Sequence, residues 1–193
     1  EAAAFEAVEY LANLGHHRIA FLSGRHTIYT IRKRLEGYKN AVKLFELDKD
    51  SELISRGGFT VDDGYNETLK LLSLERPPSA ILVSGNRITI GALKASVEKG
   101  FSIPEDISLI GFTDSIVAPY LMTPLTSISH PLEDMGRRAF ELLLEHINGK
   151  GTLPFSKIIV KTQLHIRESI LSLENERESD VPTHKYDKDI TRV

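Results

Sequence analysis

The chain has 193 residues, 41% hydrophobic and 26% charged, a balance that supplies a globular core and excludes a disordered or low-complexity protein over most of its length. Its formal net charge of -3 offers no basic surface for nucleic acid or an anionic membrane, so any DNA contact has to come from outside this segment. With no cysteine there is no disulfide framework and no thiolate metal or redox centre, and no apolar run approaches the ~18 residues that span a bilayer.

Glu1-Ala-Ala-Ala-Phe-Glu reads as the interior of a helix, so the chain is expected to be a piece of a longer polypeptide. Phe5, Val8, Leu11 and Ala12 recur at helical spacing, with Gly15 as a C-terminal cap. Arg18 to Gly24 reads as a short apolar strand ended by glycine. Ile31 to Phe45 is an amphipathic helix with Ile31, Leu35, Tyr38, Val42 and Phe45 on one side. Leu53 and Ile54 suggest a short strand leading to Gly57 and Gly58. Asp62 or Asp63 is expected to cap the helix that carries Tyr65, Leu69 and Leu72. After Pro77-Pro78 comes a strand, Ala80 to Val83, then a helix from Ile88 to Val97 closed by Gly100.

Ile107, Leu109, Ile110 and Phe112 form a short, nearly unbroken apolar run after Pro104 that is interrupted by Gly111, the pattern of a strand buried on both faces. Strand and helix alternate with short connections, which predicts an α/β fold with a doubly wound parallel sheet. Ligands in such sheets sit beyond the C-terminal ends of the strands, and Thr113 and Asp114 lie there. Leu125 to Ser129 reads as a linking strand and Leu132 to Ile147 as a long amphipathic helix closed by Asn148-Gly149. Ile158-Ile-Val160 and Leu164-His-Ile166 read together as a last strand, and residues 171–193 as a flexible charged tail.

Seven segments occur in a recognisable order: Gly15 to Leu22, Arg34-Leu-Glu-Gly-Tyr38, Gly58 to Tyr65, Ile103 to Asp114, Pro124 to Ile128, Met135-Gly-Arg-Arg-Ala and Leu164 to Ser169. Together they resemble the effector-binding region of the LacI/GalR family of bacterial transcription regulators, from Glu1 to about Ser169. The resemblance implies a periplasmic-binding-protein-like fold with one lobe largely present and the other only in part. Residues 1–128 are expected to be the C-terminal lobe, and 129–157 a crossover and helix of the N-terminal lobe. Residues 158–170 are the expected return strand. It also implies a cytoplasmic homodimer that senses a small-molecule effector and reaches operator DNA through a missing N-terminal head. No membrane contact and no cofactor are implied.

The resemblance places Arg34 in the inter-lobe cleft, where its guanidinium offers five donors in a fixed fork; without it, Arg34 reads as a solvated helix charge. Phe59 matches an aromatic that packs on the effector, and alternatively is a core ring under its loop. Thr30 lies where relatives contact ligand, or is a turn residue. In the G-[FY]-D-[DN] pattern, Thr113 stands where an Asp is usual, with Asp114 beside it. In the A-N-D or A-S-D pattern, Ser84-Gly85-Asn86 replaces the amide or hydroxyl with Gly85 and the acid with Asn86. Both departures remove acceptors or charge, so the expected effector is anionic or less hydroxylated than a typical sugar; a drifted site with weak or no ligand is the alternative.

No G-x-G-x-x-G, Walker or G-x-S-x-G motif is present. The seven histidines fall in no metal-ligand spacing, and His16 and His17 are expected to finish a helix as favourable cations. Glu133-Asp134 is explained by the dipole of its helix, and an enzyme is not expected. A periplasmic sugar-binding protein of a transport system is the runner-up to a regulator.

Overall fold

The computed structural model describes residues 1–55, 57–113, 118–148 and 158–173. At its centre is a five-stranded sheet of β1 (Ile19–Leu22), β2 (Ala80–Val83), β3 (Ser108–Phe112), β4 (Thr126–Ser129) and β5 (Gln163–His165), paired in that order. β1 to β4 run parallel, and β5 is antiparallel to β4. On the other side of β1, Ile54 makes a single parallel bridge to Phe21. The strand expected at 53–54 is thus reduced to that bridge, because Ser51–Leu53 closes as a 3-10 turn capped by Asp50. The last strand is also shorter than expected. Among the described residues only Gln163–His165 pairs, and Ile159 is 78% exposed.

Residues alternate between two cores because successive strand side chains point to opposite faces. Ile19, Phe21, Leu82, Ile110 and Phe112 pack with α1 (Ala2–Asn13) and α2 (Tyr29–Leu44). Ala20, Leu22, Ile81, Val83 and Leu109 pack with α3 (Val61–Leu72) and α4 (Asn86–Lys99). Each buried Leu, Ile or Phe contributes about 1.5–3 kcal/mol. Helices on both faces and a largely parallel sheet are the doubly wound architecture the alternation predicted.

The cap of α3 differs from the expectation. Thr60, not an aspartate, is the N-cap: its hydroxyl accepts from Asp63 N at 3.0 Å while Asp63 Oδ2 takes Thr60 N at 2.8 Å. This is a capping box, with Asp63 in the place of the usual Glu. At the other end of α1, Gly15 takes φ 86°, a conformation that strains any side chain, and the helix stops at Asn13.

A strap of residues 167–173 bolts the N-terminal edge of the sheet. Buried Ser169 donates its hydroxyl to Leu109 O at 2.6 Å and accepts from Thr126 N at 2.8 Å. Leu171 N reaches Ser108 Oγ at 2.9 Å and Leu173 N reaches Leu14 O at 2.8 Å. Residues 171–173, assigned above to the tail, therefore belong to the folded unit; the remainder of that tail and Gly149 lie outside the described residues.

His16 is not a cationic helix terminus. It is 1% exposed, donates from Nε2 to Leu171 O at 3.0 Å and accepts at Nδ1 from Ser79 Oγ at 2.9 Å. Burial pushes its pKa below the usual histidine value, against the raising effect of the Leu171 carbonyl, and His17 adds to the lowering. The unfolded chain takes up this proton first, near the ordinary value of about 6.5, so stability is full above that pH and falls as pH drops through it towards the lower folded value. Urea midpoints measured from pH 7.5 to 5 are expected to fall more steeply for the wild type than for His16→Gln. Parallel curves would contradict the assignment.

α5 (Leu132–Ile147) stands apart. It is amphipathic, yet none of its residues is buried, and Leu132, Phe140 and Ile147 are each at least 60% exposed.

Candidate functional site

Because Ile54 flanks β1 on one side and β2 on the other, chain order reverses between β1 and β2. In sheets of this kind the crevice beyond the strand ends at that reversal is the ligand position. β1 ends into Ser23 and Gly24, and β2 into Ser84 and Gly85. The two turns are tied together, with Gly24 N on Ser84 Oγ and Ser84 N on Leu22 O, both at 3.0 Å. Ser23 donates its hydroxyl to Gly24 O, so the His26 Nε2 that lies 3.0 Å from it is the donor.

Arg34 reaches this crevice from α2. Its Nη1 donates to Ser84 O at 2.6 Å, its Nη2 donates to His130 Nε2 at 3.2 Å, and its guanidinium carbon lies 4.1 Å from the centre of the Phe112 ring. An arginine only donates, so His130 accepts here through an unprotonated Nε2. A cation over the ring face is worth about 1–2 kcal/mol at a partly desolvated site and helps to hold the guanidinium in place. Arg34 is thus a half-buried, oriented group and not a solvated helix charge.

Asn86 opens α4, and Thr113, 3% exposed at the end of β3, donates its hydroxyl to Asn86 Oδ1 at 2.6 Å. Gly85 has φ -175°, extended backbone open to any residue, and a Cβ there would meet Ile88 only at 3.7 Å. The backbone does not require glycine at 85, so the loss of a polar side chain there is a matter of the crevice. Phe59 is half-buried over Gly24, where an added Cβ would come within 2.5 Å of its ring. Its ring thus covers the end of β1 next to Ser84.

Arg34, Phe59, Gly85, Asn86 and Thr113 are therefore linked through the turns that follow β1, β2 and β3. Thr30 is one turn before Arg34 on α2 and exposed, on the rim of a hollow of about 610 Å³ that Arg34, Phe112 and His130 also line. Asp114 lies outside the described residues. Sequence reasoning missed Phe112, His130, Gly24 and the Ser84 carbonyl. Phe112 looked like core, His130 was weighed only as a metal ligand, and a backbone carbonyl has no sequence signal. Among the described residues no group of three or more acidic, histidine or cysteine side chains is placed to hold a metal, and no helix is long and apolar enough to cross a membrane.

Residues 8–170 match the family of periplasmic binding protein-like domains. The HTH-type transcriptional repressor CytR of Escherichia coli K12 is 34% identical over 171 residues, which are 89% of this chain and 50% of that protein. A regulatory protein of the LacI family from Chloroflexus aggregans superposes with a TM-score of 0.81 at 36% identity, covering 88% of this chain and 60% of that one. The lac repressor dimer bound to operator and the anti-inducer ONPF superposes with a TM-score of 0.78 at 26% identity, covering 87% and 57%. The chain spans about half the length of the curated relatives it matches.

Proposed function

Since this chain belongs to the periplasmic binding protein-like domain family and its relatives are LacI-family regulators, we propose that it is the effector-binding and dimerisation part of a transcription regulator. The observation that carries the reading is Arg34, held over the Phe112 ring and anchored to the Ser84 carbonyl where chain order reverses in the sheet. The crevice is one wall of the effector site. The opposite wall is a second lobe to which α5 belongs; its unburied apolar face supports that division of residues 1–128 and 158–170 from 129–157. Effector affinity that differs between two lobe arrangements biases the dimer and hence its hold on operator DNA.

The effector is a small acid or a sugar phosphate. Thr113 commits its hydroxyl to Asn86, Gly85 adds no polar group, and Arg34 supplies positive charge. The protein is cytoplasmic and not an enzyme, a reading supported by relatives named as transcription repressors and regulators. Homodimers form through the exposed side of α4, where Ile90, 51% exposed, and Val97, 73% exposed, stand among charged residues, together with Met122. Sedimentation of the full natural polypeptide is expected to give a dimer, and Val97→Asp a monomer; an unchanged dimer would move the interface elsewhere.

The effector is tested by thermal shift of the full natural polypeptide against neutral sugars, sugar phosphates and small acids. A stabilising acid or sugar phosphate is the expected result, since a ligand at about 100 times its Kd adds about 2.7 kcal/mol. Tight binding of a neutral sugar with indifference to acids would overturn the effector class, and no stabilisation by any compound would count against the site.

A further inference from the structure

A second hollow, of about 340 Å³, lies towards the C-terminal end of α2, away from Arg34 and against the sheet edge at Ile54. Its apolar walls are Tyr38, Val42 and Ile54. The Tyr38 ring is stacked on Phe21, with centroids 5.2 Å apart, and its phenol, pushed by burial above its ordinary pKa, donates to Ile19 O at 2.8 Å. Tyr38 thus presents carbon, and no titrating group, to the hollow. Around the mouth stand three exposed cations, Lys39 and Lys43 one turn apart on α2 and Lys49 from the following loop. The two carboxylates that also line it, Asp48 and Asp50, are both bound by Arg18 at 2.6 and 2.8 Å, which leaves the rim net positive.

From this juxtaposition we propose that the hollow is an accessory binding site, separate from the effector crevice, for a small amphiphilic anion: an aromatic or branched apolar body carrying one carboxylate or sulfonate. The volume admits about eleven water-sized groups, at the lower end of the range for small-molecule sites. An apolar body replaces water on the three carbon walls, while the anionic head lies among the lysine ammoniums. Charge complementarity excludes cations and does not reward neutral polyols, for which the walls have few hydrogen-bonding groups. The lysines have another use, since charged residues at a sheet edge discourage pairing with a second chain. That role needs no floor of three converging apolar side chains between them.

The probe is 4-benzoylbenzoate, an amphiphilic carboxylate that cross-links on illumination, used on the full natural polypeptide with peptide mapping of the adduct. Saturable labelling within residues 38–54 is expected. It should fall at least tenfold in the Lys39→Glu/Lys43→Glu double variant, persist in Lys39→Arg/Lys43→Arg, and be absent with uncharged 4-methylbenzophenone. Because Lys39 and Lys43 are exposed, these variants fold as the wild type does, which circular dichroism verifies. Labelling only at α4, α5 or the effector crevice, labelling that does not saturate, or labelling indifferent to charge reversal would each overturn the proposal.

Discussion

Valine in place of Gly91 is expected to lower stability by at least about 3 kcal/mol or to prevent folding, read as the urea midpoint or as loss of soluble protein. α3 and α4 touch backbone to backbone. A Cβ on Gly91 would lie 2.1 Å from Val61 O and 2.5 Å from Tyr65 N, and one on Gly64 would lie 2.3 Å from Ile88 O. These are main-chain atoms, so no rotamer change relieves the clash and one helix must move as a body. Ordinary overpacking costs about 1–3 kcal/mol when side chains can shift, and here they cannot. Displacing α4 also pulls Asn86 from Thr113, so effector binding should weaken in whatever folds. Gly136→Ala is the control. It lies on α5 with nothing within 4 Å of an added Cβ, and should be neutral or stabilising by up to about 1 kcal/mol. Equal behaviour of the two variants would refute the close helix contact.

Alanine in place of Arg34 is expected to weaken effector binding about 10- to 150-fold, since one hydrogen bond to a charged group is worth about 1.5–3 kcal/mol. The folded structure should lose only about the 1–2 kcal/mol of the contact with Phe112, which leaves the protein folded. Arg34→Lys should recover only a small part of the affinity, as a single ammonium cannot donate to Ser84 O and His130 in the fixed fork of a guanidinium. Isothermal titration with the compound found by thermal shift measures both variants. Full rescue by lysine would reduce the role of Arg34 to net charge.

The two-sided cores were legible in the sequence because buried parallel strands are short continuous apolar runs, as in Ala80 to Val83 and Ser108 to Phe112. The signal failed where local chemistry competed with pattern. Thr60 took the cap of α3 from the aspartates because its hydroxyl and Asp63 satisfy each other. Ile158 to Val160 is apolar like a strand but pairs with no strand among the described residues. Arg34 was visible as a motif residue, yet its supports, the Ser84 carbonyl and His130, come from 50 and 96 residues away and carry no local mark. His16 was misjudged for the same reason, since its burial depends on Ser79 and Leu171.

The most direct test of the crevice is a hydrogen-exchange footprint of the full natural polypeptide with and without its effector. Protection is expected in the turns after β1 and β2, in residues 57–60, at the start of α4 and around His130. Protection confined to other segments, with those turns exchanging as in the free protein, would contradict the placement of the effector beside Arg34.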